Sequence, residues 1–529
     1  MKGETTYLLG VDLGTQGVKI ALYTPAGEKV WMAGAAFTTS YPEAGRAEQN
    51  PLDWWRALRE VLKQLPDSIN PAWIGGMAVC ATSSTVLLVD REGVPVIPAI
   101  MWMDTRAINE MAEINSGQTA RVQEILRYSG GKVSVEWMVP KAIWLKNQGL
   151  LKPGYKVVEQ LDWLNFQLTG NWAASQCNAT CKWNYVKQKN GFDRDFFAAI
   201  GWSDFAQYWP ADVLPVGEQV GTVTAQAAAE LGLPAGIPVF QGGIDAHIGM
   251  LGVGAVEPGV MSLIMGTSFV HLVHTEKPVF QDGLWGPYQD AVLPDSWLIE
   301  GGQLSCGSLI SWFFEQWYPQ QSEEAKAAVY RELLEQAAHI EPGSNGLVMM
   351  DSWQGNRTPY RNPYASGAIV GLTLAHTKYH IFRAILEAVA YGTNNVIRFF
   401  RDADIPIERI IACGGGVKNR LWLQIISDVT GVPIEVSNET EAGTKGCAAV
   451  AAYGLGYYPT LAEAARNMAQ SGEVYTPDPQ AQQAYGAYFQ TYLALHQALF
   501  PIMQNLKKHE EQKHSLASGL GEAKLREEG

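Results

Sequence analysis

A short apolar run that breaks at a glycine-bearing turn and doubles back into a second apolar run occurs twice in this chain. That duplication restricts the fold more than any other feature. Tyr7–Asp12 leads through Leu13-Gly14-Thr15-Gln16-Gly17 into Val18–Tyr23. Far downstream, Val260–Met265 leads through Gly266-Thr267-Ser268 into Phe269–His274. Runs of this length bounded by turn residues read as strands, and each pair reads as an antiparallel reversal.

The segments downstream of the two reversals are also alike. After the first come Thr24-Pro25-Ala26-Gly27, a turn by its Pro and Gly, and a third run, Val30–Phe37. Asp53–Leu65 has the period of an amphipathic helix, Gly76–Ala81 is a buried strand, and Val86–Val89 turns at Asp90-Arg91-Glu92-Gly93. Three meandering strands, a helix and a further strand open an RNase H-like layer. After the second reversal come a long helix over about 378–400, a strand at Ile410–Cys413 and a helix at Lys418–Val429. A short strand, Ile434–Val436, and a helix, Gly443–Tyr453, complete the alternation. The expected architecture is therefore α/β: two RNase H-like, actin-like ATPase lobes meeting near residue 250, with the active site in the cleft between them. The expected bounds are 1–253 for the N-terminal lobe, 254–500 for the C-terminal lobe and 501–529 for a tail. From about Lys507 that tail is charged and poor in apolar residues, which suits a frayed helix or a disordered end.

A chain of 529 residues exceeds one ordinary core, which agrees with two lobes. Hydrophobic residues at 47% and charged residues at 17% are ordinary globular values. A net charge of −14 argues against a nucleic-acid binder, yet leaves room for a phosphate-bearing ligand held by backbone amides and one or two cations. The six cysteines, 80, 177, 181, 306, 413 and 447, are too few and scattered for a disulfide framework. Cys177 and Cys181 share a segment, but no second pair stands at zinc-site spacing, so reduced thiols in a cytoplasmic protein are expected. Met1-Lys2-Gly3-Glu4-Thr5-Thr6 runs straight into a strand, so no signal peptide is expected. The apolar stretch 246–273 is broken by His247, Glu257, Pro258 and glycines, and reads as a buried, turn-rich segment rather than a membrane span.

The two turns carry the chemistry. Gly14 and Gly17 let the backbone approach an anion, Thr15 and Gln16 supply donors, and Lys19 adds a cation. Asp12, just before the turn, has the placement of an acid that holds Mg²⁺ through water. A plain glycine hairpin would look the same, but Gly266-Thr267-Ser268 at the equivalent place turns one loop into a pair able to clamp a triphosphate. Gly414-Gly415-Gly416-Val417-Lys418-Asn419 follows a strand and opens a helix without the spacing of a dinucleotide fingerprint, and the chain has no Walker A sequence. Such a turn accepts adenosine against bare backbone, or is simply a helix start with glycines for close approach. Gly242-Gly243-Ile244-Asp245-Ala246-His247 sets one acid after the apolar Pro238–Gln241 at the expected junction. A carboxylate there can take the proton of an attacking hydroxyl; a helix N-cap is the structural alternative. His247 reads as structural, and His509 and His514 as solvated.

At these residues the chain resembles the FGGY carbohydrate kinases, over about 6–495. Gly367-Ala368-Ile369-Val370-Gly371-Leu372, then seven residues, then His380-Ile381-Phe382-Arg383-Ala384-Ile385-Leu386-Glu387 matches the C-terminal signature of that family position for position. Lys141-Ala142-Ile143-Trp144-Leu145-Lys146-Asn147-Gln148 fits its N-terminal signature, while the residues before Lys141 depart from it. The resemblance implies ATP and Mg²⁺ as cofactors and a sugar or polyol as the small-molecule partner. A homodimer is the expected assembly, without nucleic acid or membrane. It makes Asp12 the magnesium-associated acid, with Gly14, Thr15, Gln16 and Lys19 as the first phosphate turn. Gly266, Thr267 and Ser268 become the second phosphate turn, Gly414, Gly415, Gly416 and Asn419 the adenosine loop, and Asp245 the catalytic base.

Within the family, Cys80-Ala81-Thr82-Ser83-Ser84-Thr85 stands where xylulose kinases usually carry Ser-Gly-Gln-Met-His-Gly. Asn178-Ala179-Thr180-Cys181-Lys182-Trp183, Leu284–Tyr288, Glu300-Gly301-Gly302-Gln303 and Gln354–Thr358 look like the ribulokinase branch. That likeness implies a sugar site lined by Ala81, Lys182, Asp245 and Glu300, with Trp183 offering an aromatic surface to the sugar. The expected reaction is transfer of the γ-phosphoryl group of ATP to a terminal hydroxyl of a ketopentose such as ribulose, with xylulose, ribitol or another polyol as alternative acceptors. A non-catalytic sugar-responsive regulator on the same lobes would lack Asp245 and carry a DNA-binding appendage. A filament or chaperone ATPase would need neither Lys182 nor Glu300.

Overall fold

The computed structural model describes residues 6–117 and 119–527; Met1–Thr5, where the start was read as free of a signal peptide, lie outside them. The chain divides into two compact units. One comprises Met1–Ser262, Leu272–Glu300 and Val436–Gly472; the other Leu263–His271, Gly301–Glu435 and Glu473–Gly529.

The first sheet is made of β1 (Tyr7–Leu13), β2 (Gly17–Tyr23), β3 (Lys29–Ala36), β4 (Ile74–Ala81), β5 (Gln219–Thr222) and β6 (Pro238–Phe240). Its order is β5-β6-β4-β1-β2-β3. β1 runs antiparallel to β2 and parallel to β4, the arrangement expected of an RNase H-like layer. The register sets Asp12 opposite both Lys19 on β2 and Cys80 on β4. The helix Pro51–Leu62 starts two residues before the expected one. Asn50 caps it by accepting the Leu52 amide at 3.2 Å, and Pro51 fills the first turn, where its missing N–H costs nothing. Its buried Trp54, Ala57, Leu58, Val61 and Leu62 recur at helical spacing and cover the sheet, each large apolar side chain contributing about 1.5–3 kcal/mol.

The helix Ala442–Gly454 belongs to this same unit. At its closest contacts it presents glycine and bare main chain, so backbone meets backbone. A Cβ on Gly10 of β1 would stand 2.0 Å from the Thr444 carbonyl oxygen, and one on Gly446 would stand 1.9 Å from that of Ile248 in the helix Asp245–Gly252.

A second sheet has seven strands: β7 (Val260–Met265), β8 (Phe269–Thr275), β9 (Trp285–Gln289), β10 (Trp297–Gln303), β11 (Arg409–Cys413), β12 (Ile434–Ser437) and β13 (Ser471–Tyr475). Their order is β9-β10-β8-β7-β11-β12-β13. In the second unit the helix Lys378–Asp402 begins at a capping box of Thr377 and His380 and buries Phe382, Ile385, Leu386, Val389, Val396 and Phe400. Its Arg383 and Glu387, one turn apart and both buried, pair at 2.8 Å, and Glu387 also accepts from the Gly343 amide and Ser344 hydroxyl. The most diagnostic stretch of the sequence is thus scaffolding. The last helix, Pro479–Glu527, extends through the expected tail; residues 504–509 are exposed, His509 among them, and the His514 side chain lies outside the described residues. No described helix is long and apolar enough to cross a membrane.

Candidate active site

In the first unit the turn after β1 closes on itself, the Gly14 amide donating to the Gly17 carbonyl at 3.0 Å. Side chains brace it: Trp102 Nε1 donates to Thr15 Oγ1 at 3.0 Å and Gln49 Nε2 to the Thr15 carbonyl at 2.7 Å. Burial pushes the Asp12 carboxyl up to about 6, against a hydrogen bond from the Cys80 thiol and the charge of Lys19. Lys19 does not stand alone, for its ammonium pairs with Glu441 at 2.6 Å. Gly443 packs directly against Asp12, and only glycine serves there: a Cβ would lie 2.4 Å from Asp12 Oδ2.

Asp245 is the first residue of the helix Asp245–Gly252, and Ile244, not Asp245, occupies the cap position. Its Oδ1 accepts the Ala246 amide at 2.7 Å. Burial pushes its carboxyl up to about 7, and the nearby negative charge of Asp12 adds to the rise. Two residues on, His247 is buried, with Nδ1 3.3 Å from Cys177 Sγ and Nε2 3.7 Å from Glu300 Oε2. Burial works against the charged ring, but Cys177 and Glu300 hold His247 up at about 9. Burial likewise opposes the Cys177 thiolate, yet Cys181 and His247 bring that thiol down to about 5.

Glu300, on β10, also accepts from Lys182 at 3.2 Å. Lys182 ends the helix Gln176–Lys182, and its ammonium lies 5.0 Å from the Trp137 ring centroid and 5.7 Å from that of Tyr288. These two rings, not Trp183, form the aromatic wall of the lysine. Trp183 is fully buried, tilted against Trp209, and donates to Glu159. Glu159, itself buried, takes three donors: Trp183 Nε1 at 2.5 Å, Asn178 Nδ2 at 2.6 Å and the Ser84 amide at 2.8 Å. It thereby holds the Lys182 helix against the segment after Ala81. Ala81 is wholly buried, its amide bonded to the Gly243 carbonyl at 3.2 Å, so it shapes the site by being small. Lys141 of the N-terminal signature is buried and donates to the Ser84, Met101 and Trp102 carbonyls at 2.9, 2.7 and 3.0 Å. It supports both the Ser84 segment and the Trp102 brace.

In the second unit the turn after β7 closes by the Gly266 amide and the Ser268 carbonyl at 3.1 Å. The amides of Cys306, Gly307 and Ser308, at the start of the helix Gly307–Trp317, donate to its Thr267 and Gly266 carbonyls. Gly414 has φ of +93° and a Cβ on it would meet the Met265 carbonyl oxygen at 2.8 Å, so only glycine serves there. Gly415 and Gly416 begin a short 3₁₀ turn before the helix Arg420–Thr430. Asn419 is that helix's cap, accepting the Trp422 amide at 2.9 Å and donating to the Tyr330 hydroxyl at 3.0 Å. Tyr330 also lines an open cavity of about 620 Å³ with Phe314, Tyr318 and Lys326.

The first unit therefore gathers Asp12, the Gly14–Gln16 turn, Lys19, Ala81, Lys182, Asp245 and Glu300, and the second holds Gly266–Ser268 and Gly414–Asn419. Sequence reasoning missed Trp137, Tyr288, Glu159 and the contact of His247 with two cysteines. Only the four-residue spacing of Cys177 and Cys181 hinted at the last.

Comparison with known proteins identifies the family. The N-terminal and C-terminal domain descriptions of the FGGY family of carbohydrate kinases match residues 7–252 and 261–455. A Xenopus laevis FGGY carbohydrate kinase domain-containing protein is 32% identical, over 93% of this chain and 97% of its own length. A ribulokinase of Geobacillus thermodenitrificans is 30% identical, over 93% of this chain and 94% of its own. Among solved structures, a Rhodospirillum rubrum xylulose kinase superposes with a TM-score of 0.82 at 27% identity, covering 94% of this chain and 99% of that one. A Plasmodium falciparum glycerol kinase, 20% identical with a TM-score of 0.80, shares the fold. With both domain matches and full-length relatives in agreement, the chain is an ATP-using sugar kinase and belongs to the FGGY family of carbohydrate kinases.

Proposed function

We propose that the enzyme phosphorylates a terminal hydroxyl of a ketopentose, ribulose before all others, with Asp245 as the general base. The observation that carries this reading is the Lys182–Glu300 pair at 3.2 Å, flanked by Trp137 and Tyr288, in the same unit as Asp245. A partly buried ion pair beside aromatic rings suits a polyhydroxy acceptor, since each charged group can take hydroxyls on a rigid frame. Relatives named ribulokinase, 30% identical over most of the chain, support ribulose as the acceptor.

Asp245 accepts the hydroxyl proton as the new oxygen–phosphorus bond forms, and Lys182 and Glu300 hold the acceptor. The Gly14–Gln16 turn and the Gly266–Ser268 turn serve phosphate oxygens, and Gly414–Gly416 with Asn419 serves adenosine. Asp12 fits a magnesium ion: it stands at the end of β1 immediately before the Gly14–Gln16 turn, and glycine at 443 spares its Oδ2 the contact of a Cβ. Bound there, Mg²⁺ would neutralise phosphate charge. Asp12→Ala is expected to raise the magnesium requirement; superimposable magnesium titrations of variant and wild type would remove Asp12 from that role. The cysteines are all free and buried, which suits the reducing cytoplasm in which we place the enzyme.

An ADP-release assay over ribulose, xylulose, ribitol, tetritols and hexuloses tests the acceptor. Ribulose is expected to give the highest kcat/KM. A higher value for xylulose than for both ribulose isomers and the pentitols would overturn the assignment and leave the kinase intact.

A further inference from the structure

Cys177, Cys181 and His247 place two sulfurs and one ring nitrogen within 4.8 Å of one another, and all three side chains are buried. A tetrahedral ion with metal–sulfur bonds of about 2.3 Å and metal–nitrogen bonds of about 2.0–2.1 Å holds sulfur and nitrogen about 3.6 Å apart. His247 Nδ1 lies 3.3 Å from Cys177 Sγ and 3.8 Å from Cys181 Sγ, on either side of that value. The cysteines stand one helical turn apart in Gln176–Lys182, and the histidine comes from Asp245–Gly252, so both sulfurs present themselves to one imidazole edge.

The other edge of the ring is also furnished. Nε2 faces Glu300 Oε2 at 3.7 Å, so a carboxylate engages the far nitrogen and leaves Nδ1 to the sulfurs. Carboxylate–histidine–metal arrangements use this geometry to fix the ring's orientation and raise its basicity as a ligand.

We propose that Cys177, Cys181 and His247 form a binding site for one thiophilic divalent cation of the zinc class, distinct from the hard-cation position at Asp12. Two thiolates and an imidazole select a soft ion over magnesium. The bound ion staples the helix that ends in Lys182 to the helix that begins with Asp245, with Glu300 as the outer support of the histidine.

The test uses the full-length, reduced, chelator-treated enzyme. Equilibration is long, because the three ligands are buried. Added Co²⁺ is expected to give an intense tetrahedral visible spectrum with a sulfur-to-cobalt charge-transfer band saturating at one equivalent, and Zn²⁺ is expected to displace it. Zn²⁺ should also raise the melting temperature, as any ligand of the native state does. Cys177→Ser and Cys181→Ser should each weaken the charge-transfer band, and together abolish it, while Cys413→Ser leaves it intact. A wild-type enzyme that shows only the weak spectrum of hexa-aquo cobalt overturns the proposal without reference to any variant. A band that survives in folded Cys177→Ser/Cys181→Ser enzyme overturns it as well.

Discussion

At the end of β1 the chain reverses with the Gly14 amide bonded to the Gly17 carbonyl at 3.0 Å, and at the end of β7 it reverses with Gly266 bonded to Ser268 at 3.1 Å. The two turns share that closure and differ in what surrounds it. Around the first stand side chains: Trp102 and Gln49 grip Thr15, Asp12 precedes it, and Lys19 pairs with Glu441 at the start of the helix Ala442–Gly454. Around the second stands backbone, the first amides of the helix Gly307–Trp317 donating to its carbonyls. Ionisable groups stand around the first turn, and the second offers geometry. A side-chain-built site can be retuned one functional group at a time, whereas a backbone-built one changes only when the main chain is displaced.

The carboxylate proposed as general base gives the largest test of that division. Asp245→Asn is expected to lower kcat by about 10²–10⁴-fold while sugar and nucleotide still bind, measured by turnover and by calorimetric titration. A variant that keeps most of its turnover would strip the first unit of its chemical role. Next comes Lys182→Met, which removes the ammonium from Glu300. It should lower kcat/KM for the true acceptor by roughly ten- to a hundredfold and affect poor acceptors far less. Equal losses across acceptors would mean that Lys182 is structural.

A matched pair of small changes then compares the turns directly. A Cβ at 443 would press on Asp12 Oδ2 from 2.4 Å, and one at 307 would press on the Gly266 carbonyl oxygen from 2.6 Å. Each insertion should cost about 1–3 kcal/mol of stability by overpacking, visible in thermal melts. Gly443→Ala should shift the magnesium requirement by about tenfold, and Gly307→Ala should raise KM for ATP by a similar factor with the magnesium requirement unchanged. If both variants move the same parameter, the division between the turns fails. The smallest effect is expected from removing residues after 507. The preceding side chains from 504 are exposed, so activity and melting temperature should stay at wild-type values. A large drop in melting temperature would show that this stretch docks.

Local pattern was a good guide wherever the signal was local. The strand at Ile410–Cys413 proved one residue longer, Arg409–Cys413, and the helix expected at Gly443–Tyr453 spans Ala442–Gly454. Helix starts were read late or early where a cap decides them. Asn50 with Pro51 set one start before the first periodic residue, and Asn419 set another after Lys418. Both turns were visible because glycine between two apolar runs has few other uses. Legibility failed for groups that meet only in three dimensions. Lys182 and Glu300 are 118 positions apart, and Cys181 and His247 are 66 apart, so no spacing rule joins them. Trp183 was misplaced for the same reason: its neighbour Lys182 lies at the site, but a helix end sends successive side chains in different directions, and Trp183 points into a cluster of rings.

The glycine-lined seat of Ala442–Gly454 also fixes the order in which the molecule can be finished as it leaves the ribosome. The first unit takes its last piece, Val436–Gly472, from beyond the whole of Gly301–Glu435. At about 5–20 residues per second, the interval between residue 300 and residue 472 lasts roughly ten to thirty seconds. Throughout it, the face of β1 around Gly10 and the back of the helix Asp245–Gly252 have no partner, and no side chain projects from those glycines to occupy the gap. The unit that holds both Asp12 and Asp245 is therefore first to begin synthesis, yet it cannot close until residue 472 has been made. A stalled nascent chain ending before residue 436 would carry Asp12, Asp245 and Glu300, yet not the helix that packs against Asp12 and against the helix that Asp245 begins.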